Sequence, residues 1–280
     1  RWVLAKVLPR PGLFRLSLRM ARLGRPLAKL LPKGGGSGAG LFDRMRAMLA
    51  LAPSRLPPPG PAAGTVFPAE GERKGRVAIL QGCAQQVLSP AINAAAIRLL
   101  NRHGIEVVLV AGERCCGALA HHMGREDEAL ASVRANVDLW LAEVDKAGLD
   151  AVLVTASGCG TTLKDYGHML RHDPAYAARA ARAAALVRDI SEYVRDLDLA
   201  VTERAARVVV AYHAACSLQH GQKITRQPKD LLSKCGFVVK DVPEGHLCCG
   251  SAGTYNILQP AIAGRLRARK LANIESVKPD

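Results

Sequence analysis

Beyond residue 75 the chain alternates short, β-branched apolar runs with longer stretches in which apolar residues recur every three to four positions. Residues 77–80 predict a strand, 91–102 a helix, 106–110 a second strand, 126–146 a long helix and 151–155 a third strand. The series restarts with a strand at 207–212, a helix at 227–234, a strand at 237–242 and a last helix from about 260 to 277. Strands separated by helices of this length pair in parallel, because a tight turn cannot bring the chain back to a parallel neighbour. The expected fold class is α/β: two tandem Rossmann-like βαβ repeats with parallel sheets, preceded by a helical and linker N-terminal segment.

Residues 1–56 read differently. Basic and leucine-rich stretches alternate there, as in Leu13-Phe14-Arg15-Leu16-Ser17-Leu18-Arg19-Met20, which predicts short amphipathic helices broken by Pro9, Pro11, Pro26 and Pro32. Gly34-Gly35-Gly36-Ser37-Gly38 reads as a flexible loop and Leu56-Pro57-Pro58-Pro59-Gly60-Pro61 as a stiff linker. The expected division is a basic connecting segment at 1–75, a first cysteine-rich repeat at 76–200 and a second, truncated repeat at 201–280.

Composition adds two exclusions. With 49% hydrophobic residues the chain can bury a core, yet no apolar run approaches the ~18 residues of a membrane span, so it is expected to be soluble or peripheral. The net charge of +15 is not spread over the fold. Residues 1–76 hold 15 Lys/Arg against Asp43, Glu70 and Glu72, whereas 77–280 hold 24 basic and 21 acidic residues. A basic N-terminal segment argues against a nucleic-acid-binding face. An Arg-rich, acid-poor N-terminus also fits an organellar transit peptide; the missing Met and scarce Ser favour a docking or connecting segment, with a solvated helix face as the blander reading.

The chain also repeats itself. An offset of 133 residues lays Val77-Ala78-Ile79-Leu80-Gln81-Gly82-Cys83 on Val210-Ala211-Tyr212-His213-Ala214-Ala215-Cys216 and Cys115-Cys116-Gly117 on Cys248-Cys249-Gly250, with no gap. Each copy is a lone Cys followed 32 positions later by Cys-Cys-Gly. Cys83, Cys115-Cys116 and Cys159 follow the first three predicted strands, and ligands gather outside the carboxyl ends of parallel strands. Neighbouring strands lie ~4.8 Å apart, so these loops can meet. Clustered thiolates are the donors that soft iron–sulfur centres use. Gly117 and a turn at Ser157-Gly158-Cys159-Gly160 are expected to let the backbone pass close to a bulky inorganic core.

Three other readings compete. Adjacent cysteines do not readily bond each other, and a large α/β chain is no disulfide-dense scaffold. Structural zinc favours close Cys-x-x-Cys pairs, which this sequence lacks. A cysteine nucleophile needs a base, which His121, His122, His213 or His220 would supply. Repetition of the framework as a set favours cluster binding. Cys235 lies outside it, opposite Arg102 in the first copy, and is expected to be a buried, unreactive thiol.

These cysteines resemble the CCG cysteine-rich domain family, whose pattern is a Cys, about thirty residues, Cys-Cys-Gly, a similar spacer and a final Cys. The first copy matches through Cys83, Cys115, Cys116 and Cys159, the second through Cys216, Cys248 and Cys249. The stretches 51–57, 157–168, 212–222 and 248–256 look like the glycolate oxidase branch. Two departures stand out: the ferredoxin-like Cys-x-x-Cys-x-x-Cys runs of that branch are absent, and the partner of Cys159 would fall at position 292, beyond Asp280. Both fit a chain cut at each end.

The resemblance implies an iron–sulfur electron-transfer subunit of a glycolate dehydrogenase. Electrons would pass from a flavin subunit oxidising glycolate to glyoxylate toward a quinone-type acceptor, and no catalytic residue would lie in this chain. It implies [4Fe–4S] clusters, noncubane and held by five cysteines in some relatives, with further cubane clusters in a preceding region. The seven cysteines named are the expected ligands. A lactate-oxidising complex, a cluster-free scaffold subunit and thiol–disulfide catalysis are the alternatives. The expected location is cytoplasmic, with the basic helices offering a peripheral contact to the inner face of the membrane.

Overall fold

The computed structural model describes residues 2–26, 42, 46, 49, 52–199, 208–251 and 255–280; the expected glycine loop at 34–38 lies outside them. The N-terminal segment begins with helices α1 (Trp2–Val7) and α2 (Pro11–Gly24). The break expected at Pro9 and Pro11 falls between these helices, and Pro11 opens the second. At the first helical position its missing N–H costs nothing, and its fixed φ suits the turn.

The chain forms two compact units, the first made of Arg1–Phe14, Pro57–Ala200 and Ser217–Gln227. Its elements run β1 (Val66–Phe67), β2 (Gly75–Ile79), α3 (Gln85–Leu88), α4 (Ala91–Arg102), β3 (Ile105–Val108), α5 (Ala118–His122), α6 (Glu126–Ala147) and β4 (Ala151–Val154). There follow α7 (Ser157–Lys164), α8 (Tyr166–Met169), α9 (Ala177–Ala185), β5 (Val187–Asp189) and α10 (Ile190–Arg195). The five strands lie in the order β1-β3-β2-β4-β5. All neighbours pair in parallel except β1, a two-residue edge strand antiparallel to β3. Every residue of β4 is buried, as a strand covered on both faces requires. The core around it holds Val133, Val137, Trp140, Leu163, Tyr166 and Leu170.

The second unit is Arg15–Leu56, Val201–Cys216 and Pro228–Asp280. It contains β6 (Val209–Tyr212) parallel to β7 (Val238–Asp241), with α11 (Gln227–Lys234), α12 (Tyr255–Leu258) and α13 (Pro260–Ser276). The repeat thus recurs in three dimensions as strand, helix, parallel strand and long helix. The register does not copy perfectly: Arg76 pairs with Glu106, whereas Val209, its partner by offset, pairs with Val238.

Between β6 and α11 the chain passes through a π-turn, Ser217–Gly221, which belongs to the first unit. There Ser217 Oγ donates to Ser157 Oγ at 2.8 Å, and Gln222 Nε2 donates to the Ser157 carbonyl at 2.9 Å. The expected turn at 157–160 is the first turn of α7. A Cβ on Gly160 would lie 2.5 Å from Gln222 Nε2, and one on Gly158 would meet nothing within 4 Å. Gly160 therefore makes room for another protein segment, not for an inorganic core.

At the amino end of β2, Arg76 is buried within a carboxylate cage. Its Nε donates to Glu106 at 2.7 Å, its Nη1 to the Gly148 carbonyl at 2.8 Å, and its Nη2 pairs with Glu143. Removing one partner of a buried ion group strands the others without compensation. Arg76→Ala should therefore lose about 3–5 kcal/mol, seen as a drop on the order of 10 °C in melting temperature. Arg73→Ala, whose side chain is mostly exposed, should change little.

Candidate metal centre

Parallel pairing brings four thiols together in the first unit. β2, β3 and β4 end at Ile79, Val108 and Val154, and Cys83, Cys115-Cys116 and Cys159 follow at the same edge. The Cys83 and Cys115 sulfurs are 3.4 Å apart, sharing a hydrogen bond and far longer than a disulfide. Cys116 is buried and within electrostatic reach of both Cys115 and Cys159. All eight cysteines are unbridged. Among the described residues, no three His, Cys, Asp or Glu side chains close on a single metal ion, so the set is looser than a structural zinc site.

The thiols hold unequal protons. Hydrogen bonds from Cys116 and then Cys83 pull Cys115 down to about 3, so it is the thiolate of the group. The bond to Cys115, followed by burial, pushes Cys83 up; Cys116 rises through its bonds to Cys115 and Cys159 and through burial. One anion among sulfur donors is a soft, metal-ready arrangement.

The Cys-Cys-Gly loop is held from behind by side chains that the sequence reading missed. Asn136, fully buried on α6, accepts the Arg114 N–H at 2.8 Å and donates to the carbonyls of Arg114 (3.3 Å) and Cys115 (3.4 Å). Tyr166, also fully buried, donates its hydroxyl to the Cys116 carbonyl at 3.0 Å and accepts from Asn136 at 3.1 Å. Trp140 stacks on Tyr166 with ring centroids 5.9 Å apart. Its Nε1 donates to Glu113 Oε1 at 2.9 Å, while Glu113 Oε2 accepts from the Gln81 N–H at 3.2 Å, tying the loops after β2 and β3 together. A signal existed: Asn136 interrupts the apolar stripe of Val133, Val137 and Trp140, where a polar residue needs a specific partner.

A cavity of about 800 Å³ opens on Cys83 and Cys115 and is lined on its far side by Lys6, Arg10 and Leu13 of the α1–α2 joint. Lys6 Nζ meets Glu128 of α6 at 2.9 Å. The basic N-terminal segment, expected to connect or dock, thus also covers the thiols.

In the second unit Cys216 lies within electrostatic reach of Cys248 and Cys249. Burial, then the Cys248 and Cys249 charges, push Cys216 up, and the Gly250 N–H donates to Cys248 Sγ at 3.3 Å. The two Cys-Cys-Gly turns share one device. Gly117 and Gly250 adopt φ of +87° and +84°, and an added Cβ would meet the carbonyl of Ala129 at 3.2 Å and of Ala263 at 2.5 Å. Each glycine lets the following long helix pack against the loop. Seven residues beyond each alanine stands a buried polar residue, Asn136 in α6 and Lys270 in α13, the latter donating to the Glu244 carbonyl at 2.7 Å.

The remaining expectations separate from the centre. Cys235, expected to be buried, is half-exposed at the end of α11, a helix with no buried residue. His121 pairs with Glu126 at 2.7 Å on the surface. His213 Nδ1 is buried without a partner, and burial followed by the Lys270 charge keeps its imidazole below the usual range.

Comparison with known proteins gives the same cysteines a context. A family model for the CCG cysteine-rich domain matches residues 77–164 and 210–280. The glycolate oxidase iron–sulfur subunit of Escherichia coli is 38% identical over 99% of this chain, which spans 62% of that protein. The probable glycolate oxidase iron–sulfur subunit of Bacillus subtilis is 30% identical over 76% of the chain and 48% of its own length. Lactate utilization protein A of Exiguobacterium is 25% identical over 71% of the chain and 80% of that protein.

Enclosure beneath Trp140 raises the Glu113 carboxyl from 4.5 to about 7, against the opposing pull of its two hydrogen bonds. A raised carboxyl favours the folded state fully below about pH 4.5 and loses that contribution as pH rises through about 7. The metal-free protein should therefore become progressively easier to unfold in urea from about pH 5 to about pH 8. Glu113→Gln, neutral throughout, should flatten that dependence; an equal slope in both proteins would refute the assignment.

Proposed function

This chain belongs to the CCG cysteine-rich domain family, and from that premise we propose that it is the iron–sulfur, electron-carrying subunit of a glycolate dehydrogenase. Its partner is a flavin-bearing subunit that oxidises glycolate to glyoxylate, and its acceptor is of quinone type. Cys83, Cys115, Cys116 and Cys159 hold one [4Fe–4S]-type centre; Cys216, Cys248 and Cys249 contribute to a second. Such a centre, when bound, supplies one-electron exchange at sulfur-ligated iron. The chain's own part is to present a thiolate, to keep the loop glycines in place and to cover the site from water.

The observation carrying this reading is the convergence of four thiols from three parallel-strand loops, repeated in part by three thiols in the second unit. The donor set is all sulfur, which suits iron–sulfur chemistry and disfavours hard ions. The identity to the E. coli subunit over nearly the whole chain supports glycolate as the partner's substrate. The relatives that act in lactate utilization support a second reading, the same electron-carrying role beside a lactate-oxidising flavoprotein.

The proposed location is the cytoplasmic side of the cell membrane, touched peripherally. Among the described residues no helix is long and apolar enough to cross a membrane. Leu13, Leu16, Met20 and Leu23 are exposed along α2 beside Arg15, Arg19 and Arg22. An apolar stripe flanked by arginines suits an anionic lipid surface.

Two measurements test these readings. Anaerobic reconstitution of the full-length protein should yield iron and acid-labile sulfide in equal amounts, and Cys115→Ser with Cys116→Ser should remove at least one cluster's share. A folded, active complex free of iron would overturn the assignment, and co-purification with a glycolate- or lactate-type flavoprotein separates the two substrates. For the membrane, Leu16→Glu with Met20→Glu should weaken sedimentation with phosphatidylglycerol vesicles by roughly tenfold or more, since each leucine-sized side chain contributes about 1.5–3 kcal/mol on burial. Unchanged sedimentation would refute the contact.

A further inference from the structure

The carbonyls of Arg114, Cys115 and Cys116 in the first unit all point inward, and each inward carbonyl turns the next peptide N–H outward. The bond from the Tyr166 hydroxyl to the Cys116 carbonyl fixes the peptide shared by Cys116 and Gly117. Its N–H end is the Gly117 amide, which a trans peptide turns to the side opposite Tyr166 and which helps to lower the Cys115 thiol. Asn136 likewise fixes the peptides that carry the Cys115 and Cys116 amides, through the carbonyls of Arg114 and Cys115. The second unit, whose Gly250 shares the positive φ of Gly117, shows where such an amide points: its N–H donates to Cys248 Sγ at 3.3 Å. There the helix residue at the matching place is Lys270, which reaches the Glu244 carbonyl and leaves the loop's own carbonyls to other means.

We propose that Tyr166 and Asn136 are positioning residues that set the reduction potential of the first-unit centre, by aiming the Gly117 amide dipole at the Cys115 sulfur. This role rests on the iron–sulfur reading above. A hydrogen bond to a ligating sulfur favours the more negative, reduced state, so it raises the potential. Neither side chain hydrogen-bonds the sulfur itself. Both are fully buried, and Tyr166 is locked by its stack on Trp140. This is an outer-shell role of the kind that orients metal ligands.

Tyr166→Phe removes one hydroxyl and keeps the ring. One net hydrogen bond is worth about 0.5–1.5 kcal/mol, roughly a two- to tenfold change in the oxidised-to-reduced ratio. A tenfold change is about 59 mV for one electron, and the shift should be toward negative potential. The experiment is a redox titration of the full-length, cluster-loaded protein followed by electron paramagnetic resonance. It compares wild type, Tyr166→Phe, Asn136→Leu and the control Tyr176→Phe, whose hydroxyl bonds Asp138 away from the loop. In the metal-free proteins, amide exchange at Gly117 supplies a second readout and should quicken in Tyr166→Phe and not in Tyr176→Phe.

If the wild type takes up no iron and sulfide, the iron–sulfur reading fails before this one is reached. If it loads normally and the folded Tyr166→Phe keeps both its potential and its Gly117 exchange rate, the positioning role is refuted. Should Tyr166→Phe not fold, Asn136→Leu takes its place in both measurements, and an unchanged potential and exchange rate there refute the role equally. An equal shift in Tyr176→Phe would also refute it, since a merely general loosening would then explain the change.

Discussion

Strands that pair in parallel end at the same edge of a sheet, and this one constraint places the chemistry of the first unit. β2 lies between β3 and β4, so the chain leaves the same edge three times in adjacent loops. The connection from β2 runs to one side and that from β4 to the other, making a crevice between them at the carboxyl ends. Cys83 leaves one side of that crevice and Cys159 the other, and from the loop after β3 Cys115 is hydrogen-bonded to Cys83 while Cys116 lies within electrostatic reach of Cys159. No antiparallel meander would bring loops this far apart in sequence to one point.

Bringing them together buries backbone, and the second layer of the site answers that cost. The loop from Glu113 to Gly117 packs on α6, where its carbonyls lose water. A buried polar group left unpaired costs about 1–3 kcal/mol, so partners are obligatory. Asn136 and Tyr166 supply them, and Trp140 and Glu113 tie the result back to β2. In the second unit a lysine, Lys270, stands in place of the asparagine, and it donates to the Glu244 carbonyl, outside the Cys-Cys-Gly turn. The two copies therefore share their cysteines and their glycine turn but not the residue behind them, a buried asparagine in one and a buried lysine in the other.

The N-terminal helices extend this enclosure. α1 and the start of α2 are basic, yet Ala5 and Phe14 are buried and Lys6 is paired with Glu128. The segment thus serves two purposes, packing toward the thiols through its first residues while Leu16, Met20 and Leu23 stay exposed. Covering a charged sulfur site keeps water out and strengthens every dipole aimed at it.

Most elements, and the kinship of the two cysteine sets, were legible in the chain's own pattern. Periodicity placed the helices at 91–102 and 227–234 at their observed bounds, because each is a strongly periodic stretch with a glycine two residues past its end. The repeat offset tied both Cys-Cys-Gly turns to strand ends, since the duplication copies local chemistry residue by residue. Who stands behind those turns emerged only in three dimensions. Asn136, Trp140 and Tyr166 lie 20 to 50 residues beyond the loop they hold, and only the packing of α6 and α8 against it brings them there. The two-residue β1 was too short to show an alternation, and Gly160 looked like ligand clearance until Gln222 filled its space. Local pattern fixes which residues face inward; which partner they meet depends on chain that periodicity cannot see.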